Sequence, residues 1–406
     1  MNKNIELLAP AGDLSRLKMA VRYGANAVYL GGKRFSLRSR ASNFEIEDIA
    51  EGVRFANQYG AHVHVTINMI PHEEDFEGLD EYLRQLEEIG VTAVIVASPT
   101  IVKRVKQVTS RLEVHLSTQM SSTNSMTAAF YQKMGADRVV LARECSMEQI
   151  SQICQHSTVP IEAFIHGGMC VNYSGRCTLS NAMTNRDANR GGCAQSCRWR
   201  YHLLDSEKEI STDADHLFCM SSKDLMAARY VKNMMEAGVA SLKIEGRMKS
   251  AYYIAVVVRA YRQLIDWIAA HPELDPEPAV EKCLNELTRA ENRPACFGFL
   301  DGLPGPEDHL YDNNSSHVTH DFVAEVMDYD PETRRAQIQV RNHFVVMDEL
   351  EVFGPHLENT PFVVESLIDE EGQSFATANR PMQICWINIP VEVRKHDLIR
   401  RKERLI

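Results

Sequence analysis

Short apolar runs alternate with helical patterns through the first three-fifths of the chain, and the same joint separates them repeatedly. A helical pattern ends at a glycine, a small or branched residue follows, and a run rich in branched apolar residues then begins. Glycine suits the left-handed position that ends a helix, and such apolar runs are typical of strands buried inside a parallel sheet. The joint lies at Gly24-Ala25, Gly60-Ala61, Gly90-Val91, Gly135-Ala136 and Gly238-Val239.

These joints and three further apolar runs predict eight strands, each followed by helical sequence. Eight such units are what a TIM-like (β/α)8 barrel requires, and a doubly wound open sheet is the alternative that periodicity does not separate from it. In a barrel, the residues that follow the strands meet at one rim, where chemistry is usually located. The predicted strands cover residues 5–8, 27–30, 63–65, 93–96, 113–116, 139–141, 161–165 and 242–244.

The pattern changes after the eighth strand, which indicates further units. Residues 1–265 are predicted to form the α/β barrel, with a cysteine-rich insertion at 166–200, and residues 266–320 a linker of helix and loops. From residue 321 onward, apolar and polar positions alternate between turn residues, as in strands with one buried face. Residues 321–406 are therefore predicted to form a small all-β, barrel-like domain of five or six strands.

Composition and charge limit the class of protein. Hydrophobic residues make up 44% and charged residues 24% of the 406 positions, as in ordinary globular proteins. No apolar run approaches the ~18 residues of a membrane span, and the N-terminus lacks signal-peptide features, so we expect a cytoplasmic protein. Lysine and arginine number 44 against 55 acidic residues, a net charge of −11. Nucleic acid would have to be held by local basic patches.

Four of the ten cysteines crowd into 28 residues, and this is the most informative feature of the sequence. Disulfides are disfavoured in the cytoplasm, so the cluster needs another explanation. Four thiolates suit tetrahedral zinc or an iron–sulfur cluster, and unligated buried thiols are the third interpretation. The spacing differs from the paired C-x2-C knuckles of a zinc ribbon, which favours iron–sulfur. The cysteines are Cys170, Cys177, Cys193 and Cys197, spaced C-x6-C-x15-C-x3-C.

Arginines outnumber acids around these cysteines, and planar guanidinium groups suit phosphate and carboxylate. A solvated loop with internal salt bridges is the simpler interpretation. The candidates for phosphate contacts are Arg186, Arg190, Arg198 and Arg200. A second basic run, at residues 394–404, is expected to be a charged surface strand or tail.

Ionisable residues near the predicted strand ends are the candidates for catalysis, because charge at that rim costs stability unless it binds something. They are Arg143, His166, Lys223, Glu245 and Arg247. A plain ion pair between Lys243 and Glu245, which alternate along the eighth strand, is the alternative role for Glu245.

Several motifs resemble those of peptidase family U32, and the likeness covers nearly the whole chain. The family signature resembles EAFIHGGMC at 162–170, where Gly168 stands at a position expected to be Ser or Ala, followed by GRCTLS at 175–180. Further similar motifs are LLAPAG at 7–12, HLSTQ at 115–119, NRGGC at 189–193, MSSKDL at 220–225 and KIEGRMK at 243–249.

The resemblance implies a function. Members of the family hydroxylate tRNA, forming 5-hydroxyuridine at the wobble position as the first step towards 5-methoxy- or 5-carboxymethoxyuridine. It implies oxygen-independent hydroxylation with a 4Fe-4S cluster on the four clustered cysteines and with prephenate as co-substrate. Expected partners are tRNA and prephenate, with a second U32-family protein as a further candidate and no membrane. Arg143 and Arg247 are the expected carboxylate ligands. Tyr173 and Trp199 are candidates for stacking on bases, with a core role as the alternative for Trp199.

Two alternatives belong to other classes. The older label of the family is collagenase-like peptidase, but the sequence contains neither an H-E-x-x-H zinc motif nor a G-x-S-x-G elbow. A non-catalytic iron–sulfur scaffold for a partner enzyme is the second alternative, and no sequence feature separates it from the hydroxylase.

Overall fold

A closed barrel of eight parallel strands forms the centre of the protein, as the repeated joints predict. The computed structural model describes residues 5–37, 43–205, 208–209, 217–290, 293–311 and 319–402. The barrel strands are β1 (Glu6–Pro10), β2 (Ala27–Gly31), β3 (His62–Ile67), β4 (Ala93–Val96), β5 (Glu113–Leu116), β6 (Arg138–Val140), β7 (Ile161–Gly167) and β8 (Ser241–Ile244). Each pairs in parallel with the next, and β8 pairs with both β7 and β1. This closure excludes the open doubly wound sheet.

Helices alternate with the strands and surround the barrel. They are α1 (Leu14–Arg22), α2 (Ile46–Gln58), α3 (Leu79–Glu88), α4 (Pro99–Val108), α5 (Ser125–Met134), α6 (Met147–His156), α7 (Leu179–Thr184), α8 (Val231–Ala237), α9 (Ala251–Ala270) and α10 (Glu277–Leu287). Their apolar faces point inward; α3, for example, buries Leu79, Leu83 and Leu86. Within the described residues, no helix combines the length and apolar character needed to cross a bilayer.

The five predicted joints all adopt the left-handed backbone conformation that they require. Their φ angles are 108° at Gly24, 68° at Gly60, 87° at Gly90, 114° at Gly135 and 86° at Gly238. A side chain would strain this conformation, so glycine allows each helix to end and the chain to turn at once into the next strand.

A layer of charged side chains lies inside the barrel, where branched apolar residues usually dominate. Glu162 on β7 is fully buried and accepts hydrogen bonds from Lys243 on β8 (2.7 Å) and Arg138 on β6 (3.2 Å). Burial alone would raise the pKa of Glu162, but the charges of Lys243 and Arg138 lower it to about 2. The sequence suggests Glu245 as the ion-pair partner of Lys243. In the structure, Lys243 pairs with Glu162 on the neighbouring strand.

Between β7 and β8 the chain builds a cover over the C-terminal end of the barrel. Strand Asp224–Met226 returns antiparallel to the end of β7, and Ala295–Cys296 pairs beside it. Residues 266–320, expected to be a linker, contain α10, whose Val280, Cys283 and Leu287 belong to the hydrophobic core of the barrel. Helix α10 is therefore packed into the barrel domain.

An antiparallel all-β domain follows, as predicted. Its longer strands are β9 (His320–Asp330), β10 (Arg335–Val340), β11 (Glu349–Gly354), β12 (Leu357–Val363), β13 (Ile384–Asn388) and β14 (Leu398–Lys402). Two-residue strands at Phe344–Val345, Leu367–Ile368, Ser374–Phe375 and Thr377–Ala378 are too short for a sequence pattern to reveal. Among the described residues, β12 and Ser374–Phe375, the end strands of the eight-stranded sheet, do not pair with each other.

Buried ion pairs attach this domain to the barrel. Arg400 on β14 is fully buried, binds both carboxylate oxygens of Glu286 on α10 (2.7 and 3.0 Å) and donates from Nε to Glu351 on β11 (2.7 Å). The basic run 394–404 is expected from the sequence to be a surface strand or tail, but one of its residues, Arg400, instead belongs to the domain interface. Arg404 itself lies outside the described residues.

We predict that Arg400→Met lowers the free energy of unfolding by about 3–5 kcal/mol, because it removes the bidentate partner of a buried carboxylate. Urea unfolding followed by circular dichroism measures this change. Lys282→Met removes an exposed partner of Glu358 and serves as the control, with almost no change expected. Equal effects of the two substitutions would contradict the assignment.

Candidate functional site

A cavity of about 340 Å³ opens at the C-terminal end of the barrel, the end at which barrel enzymes carry their chemistry. Strand residues form its floor, residues that follow the strands form its rim, and the cysteine-rich segment forms its outer wall. The floor consists of Tyr29, Ile95, Phe164 and Lys243, and the rim includes Asn68, Ser117, Gln119, Arg143, Glu245 and Arg247.

All four clustered cysteines line this cavity, two of them exposed and two half-buried. Short helical segments lie between them, Cys197 itself stands on the turn Ser196–Arg198, and three non-glycine residues between them adopt left-handed conformations: Ser174 (φ 49°), Asn185 (φ 54°) and Gln195 (φ 56°). Such conformations cost energy and persist where the surrounding structure demands them, often at functional sites. The fold thus brings together the cysteines that the sequence singles out.

Two polar contacts hold the cysteine segment against the barrel rim. Glu144, after β6, accepts hydrogen bonds from the backbone N–H (2.6 Å) and the hydroxyl (2.5 Å) of Ser174. Arg190 pairs with Asp75, lowering the pKa of that carboxyl, and donates to the carbonyl of Ile70 (2.7 Å). Arg190, expected to contact phosphate, is thus occupied by a structural ion pair.

The thiols influence one another. Burial raises the pKa of the Cys197 thiol, and the nearby thiolates of Cys170, Cys193 and Cys177 raise it further. The sulfur of Cys177 accepts hydrogen bonds from Asn172 Nδ2 and from a backbone N–H (3.3 Å). Four thiols that repel one another when ionised are a donor set that a bound metal centre stabilises.

The donor set can be compared with the needs of two metal centres. Within the described parts of the chain, no three His, Cys, Asp or Glu side chains are arranged so that they could hold one metal ion. A tetrahedral zinc site requires four sulfurs about 2.3 Å from one centre, whereas in a cubane cluster each thiolate binds a different iron. The four thiols that line the cavity are the residues that either centre would use.

Cationic side chains surround the cavity, and Glu245 is the only acid among the described residues that line it. The guanidinium of Arg143 lies 3.9 Å from the ring of Phe164, and within the described residues it has no carboxylate partner. Arg247 is buried and donates to Ser36 (3.2 Å) and Asn43 (3.0 Å). The cavity is therefore suited to an anionic ligand, and Arg143 is better placed than Arg247 to bind one.

Two predicted catalytic residues lie away from the cavity. A β-bulge between Lys243 and Ile244 shifts the register at the end of β7, and His166 faces Tyr261 on α9 (3.3 Å). Burial lowers the pKa of His166 to about 3, so it remains a neutral core residue. Lys223 lines a separate hollow beside residues 294–308. The structure therefore does not bring His166 or Lys223 to the site.

The remaining predicted arginines lie on the cysteine-rich segment that forms the outer wall. Arg198 lines the cavity, and Arg186 and Arg200 are exposed. Tyr173 and Trp199, on the same segment, are 52% and 42% exposed, which excludes a core role for Trp199. Exposed aromatic rings and guanidinium groups on one segment can bind single-stranded nucleic acid by stacking and charge.

Sequence reasoning missed the aromatic floor. Phe164 and Tyr29 read as ordinary apolar strand residues, but the ammonium group of Lys243 lies 4.6 Å from the ring of Tyr29 and 5.5 Å from that of Phe164. The two-residue period of a strand could have revealed this floor. Phe164 lies two residues after the inward-facing Glu162, so its side chain points to the same face of β7.

The match to known families agrees with this architecture. Residues 12–310 match the model of peptidase family U32, and residues 318–400 match the model of the U32 C-terminal domain. The chain belongs to peptidase family U32. This U32 protein is 44% identical over 407 residues to tRNA hydroxylation protein P1 of Bacillus subtilis, covering 99% of this chain and 96% of that protein.

Two further relatives of this U32 protein carry different names. It is 40% identical over 264 residues to the 23S rRNA 5-hydroxycytidine C2501 synthase of Escherichia coli, covering 65% of this chain and 40% of the synthase. It is 30% identical over 427 residues to a collagenase of Porphyromonas gingivalis, covering 100% of this chain and 99% of that protein. The family membership predicted from the motifs is confirmed.

Proposed function

We propose that this protein hydroxylates uridine at the wobble position of tRNA and forms 5-hydroxyuridine, the first step towards 5-methoxy- or 5-carboxymethoxyuridine. The observation that carries the proposal is the single cavity shared by four thiols and a cationic barrel mouth. The near-full-length relative named as a tRNA hydroxylation protein supports tRNA as the substrate. Hydroxylation at C5 replaces a hydrogen on the base, so the base must leave its stack and enter the cavity.

Cys170, Cys177, Cys193 and Cys197 are the residues that would hold a 4Fe-4S cluster at the outer wall. When bound, the cluster would supply one-electron redox chemistry. Replacing C5–H by C5–OH removes two electrons from the base, so in this dioxygen-independent proposal an external electron acceptor takes those electrons and the oxygen comes from water or the co-substrate. Burial raises the pKa of the Cys170 thiol, and the charges of Arg143 and Arg198 oppose that shift. The amide of Asn172 and the backbone N–H of Leu179 donate hydrogen bonds to the sulfur of Cys177, as outer-shell partners of metal ligands do.

Prephenate is the proposed co-substrate, and its two carboxylates suit the cationic side of the cavity. Arg143 faces the cavity above the ring of Phe164, so it can bind one carboxylate with two parallel hydrogen bonds. Arg247 is the second proposed carboxylate ligand, held in place by Ser36 and Asn43. The aromatic floor offers an apolar surface to the ring of the ligand.

The tRNA is proposed to bind at the cavity entrance. Single-stranded loops can present an unstacked base at low cost, and exposed aromatic rings offer it a stacking surface. Tyr173 and Trp199 provide such rings, and Arg186 and Arg200 are placed to contact the flanking phosphates. Arg190 is left out of this role, because it already pairs with Asp75.

A peptidase is the alternative function, and the collagenase name of one relative favours it. Among the described residues that line the cavity there is no histidine and a single carboxylate, so a nucleophile there lacks an evident general base. Cleavage of peptide substrates by iron-free protein would favour the peptidase. A cluster-containing protein that hydroxylates tRNA only with a second protein present would favour the scaffold role.

The first functional prediction concerns the cluster. Anaerobically purified protein should contain about four irons and four sulfides per chain, and Ser at any one of the four clustered cysteines should sharply reduce both. Cys154→Ser, at a half-buried position of α6, is the control and should retain the iron. Stoichiometric zinc with no iron would refute this proposal.

The second prediction concerns the co-substrate. Arg143→Gln should weaken prephenate binding by roughly ten- to a hundredfold, since it removes a charge-assisted pair, and should leave the iron content unchanged. Isothermal titration calorimetry of the cluster-containing protein measures this. Arg111→Gln, at an exposed arginine beside Glu87, is the control. Unchanged affinity in Arg143→Gln would place the prephenate site elsewhere.

The third prediction concerns tRNA. Each lost phosphate contact should reduce the log–log slope of affinity against salt by about 0.7, so Arg186→Gln/Arg200→Gln should reduce it by about 1.4. Fluorescence anisotropy with labelled tRNA over a salt series gives the slope. Arg84→Gln/Arg111→Gln makes the same charge change at exposed positions elsewhere and should leave the slope unchanged. Equal slopes in the two double variants would move the RNA site away from the cavity entrance.

A further inference from the structure

Gln119 presents a buried hydrogen-bond donor at the cavity wall that the proposed chemistry has not used. The residue follows β5, lines the cavity and is 4% exposed. Its Nε2 is buried and has no hydrogen-bond partner among the described residues. A buried donor without a partner loses its hydration and gains nothing in return, so a native site that keeps one calls for an explanation.

The identity of this donor follows from its neighbours. The backbone N–H of Leu37 can only donate, and it lies 3.1 Å from Asn68 Oδ1, which defines the orientation of the Asn68 amide. Asn68 Nδ2 then donates to Gln119 Oε1 (2.9 Å), and the hydroxyl of Ser117 donates to the same oxygen (3.2 Å). The oxygen of Gln119 is thus occupied, and its NH2 group is the end that remains for a ligand.

The backbone of Gln119 is also held. Its N–H donates to the hydroxyl of Ser117 (3.2 Å), and its carbonyl accepts a hydrogen bond from Arg176. The side chain therefore has one defined direction from a fixed backbone. The terminal amide torsion of glutamine is broad, so a small rotation can bring Nε2 to the cavity surface when an acceptor arrives.

We infer that Gln119 donates a hydrogen bond from Nε2 to the C4 carbonyl of the base in the cavity and so selects uracil over cytosine. The inference rests on the proposed function and adds base selectivity to it. Uracil presents a carbonyl oxygen at C4, whereas cytosine presents an amine at that position. The cationic cavity lining, which includes Lys243 and Arg247, also favours a base that presents a hydrogen-bond acceptor, as the C4 oxygen of uracil does. A site built to donate rejects an analogue that offers another donor.

The first test uses the unaltered, cluster-containing protein, so its result does not depend on the folding of a variant. Anticodon stem-loop RNAs carrying uridine, cytidine or 2-pyrimidinone riboside at the wobble position are compared by anaerobic fluorescence anisotropy. The 2-pyrimidinone ring lacks the C4 oxygen. Both replacements should weaken binding relative to uridine, by about three- to tenfold for 2-pyrimidinone and more for cytidine. Equal affinity for uridine and 2-pyrimidinone RNA would overturn the inference.

The second test reverses the hydrogen-bond polarity. Gln119→Glu keeps the shape and the oxygen that Asn68 and Ser117 contact, but it replaces the donor by an acceptor. The ratio of uridine to cytidine affinity should fall by at least tenfold, and Gln119→Leu should bring the ratio close to one. Gln155→Glu, which makes the same change at an exposed position of α6, should keep the ratio of the unaltered protein. Iron content and thermal unfolding verify that each variant is folded.

The outcomes separate this inference from the proposed function. If the unaltered protein hydroxylates tRNA and a folded Gln119→Glu variant keeps the original preference for uridine, the selectivity inference is wrong and the proposed function stands. If the unaltered protein neither binds nor hydroxylates tRNA, the proposed function fails, and the inference fails with it.

Discussion

The buried carboxylate of Glu162 is the constraint around which the centre of the barrel is arranged. A fully buried anion is tolerated only when it is paired and hydrogen-bonded, and Lys243 and Arg138 meet that requirement from the two neighbouring strands. Lys243 consequently lies at the cavity floor, between the rings of Tyr29 and Phe164, because its ion pair with Glu162 fixes its position. The floor of the site is therefore a consequence of charge compensation inside the barrel.

The outer wall depends on a different set of contacts. The cysteine segment has little regular structure of its own, so contacts with the barrel rim determine where its thiols lie. Glu144 binds the turn at Ser174, and Asp75 binds Arg190, which joins the segment to the loops after β6 and β3. The thiols and the cationic rim thus line the same cavity. This juxtaposition gives the redox proposal its physical basis, since one cavity holds both the proposed cluster ligands and the anion-binding side chains.

The C-terminal domain is joined to the barrel far from this cavity by a second buried ionic centre, at Arg400. Its partner Glu286 belongs to the barrel domain and its partner Glu351 to the C-terminal domain, so these ion pairs stabilise both domains. Helix α10 carries Glu286 and also contributes to the barrel core. Relative movement of the domains would expose or unpair these charges, which favours a fixed arrangement. Arg400, one of the basic residues near the C-terminus, therefore serves the interface.

The eight strand–helix units follow from the sequence alone, because five helix-ending glycines and eight buried strands are local features with fixed geometric consequences. Their closure into a barrel rather than an open sheet is seen only in the structure. The sequence also determined the cysteine set, since clustered thiols in an otherwise ordinary composition have few explanations. Only the tertiary structure decided which charged residues belong to the site. Arg190 and Arg143 are equally basic in sequence, yet one is paired with Asp75 and the other has no carboxylate partner among the described residues. His166 follows the strand pattern of a rim residue, but a bulge in the pairing of its strand places it against α9. Whether a polar group is free to bind depends on partners far away in the chain, and those partners are brought together only by folding.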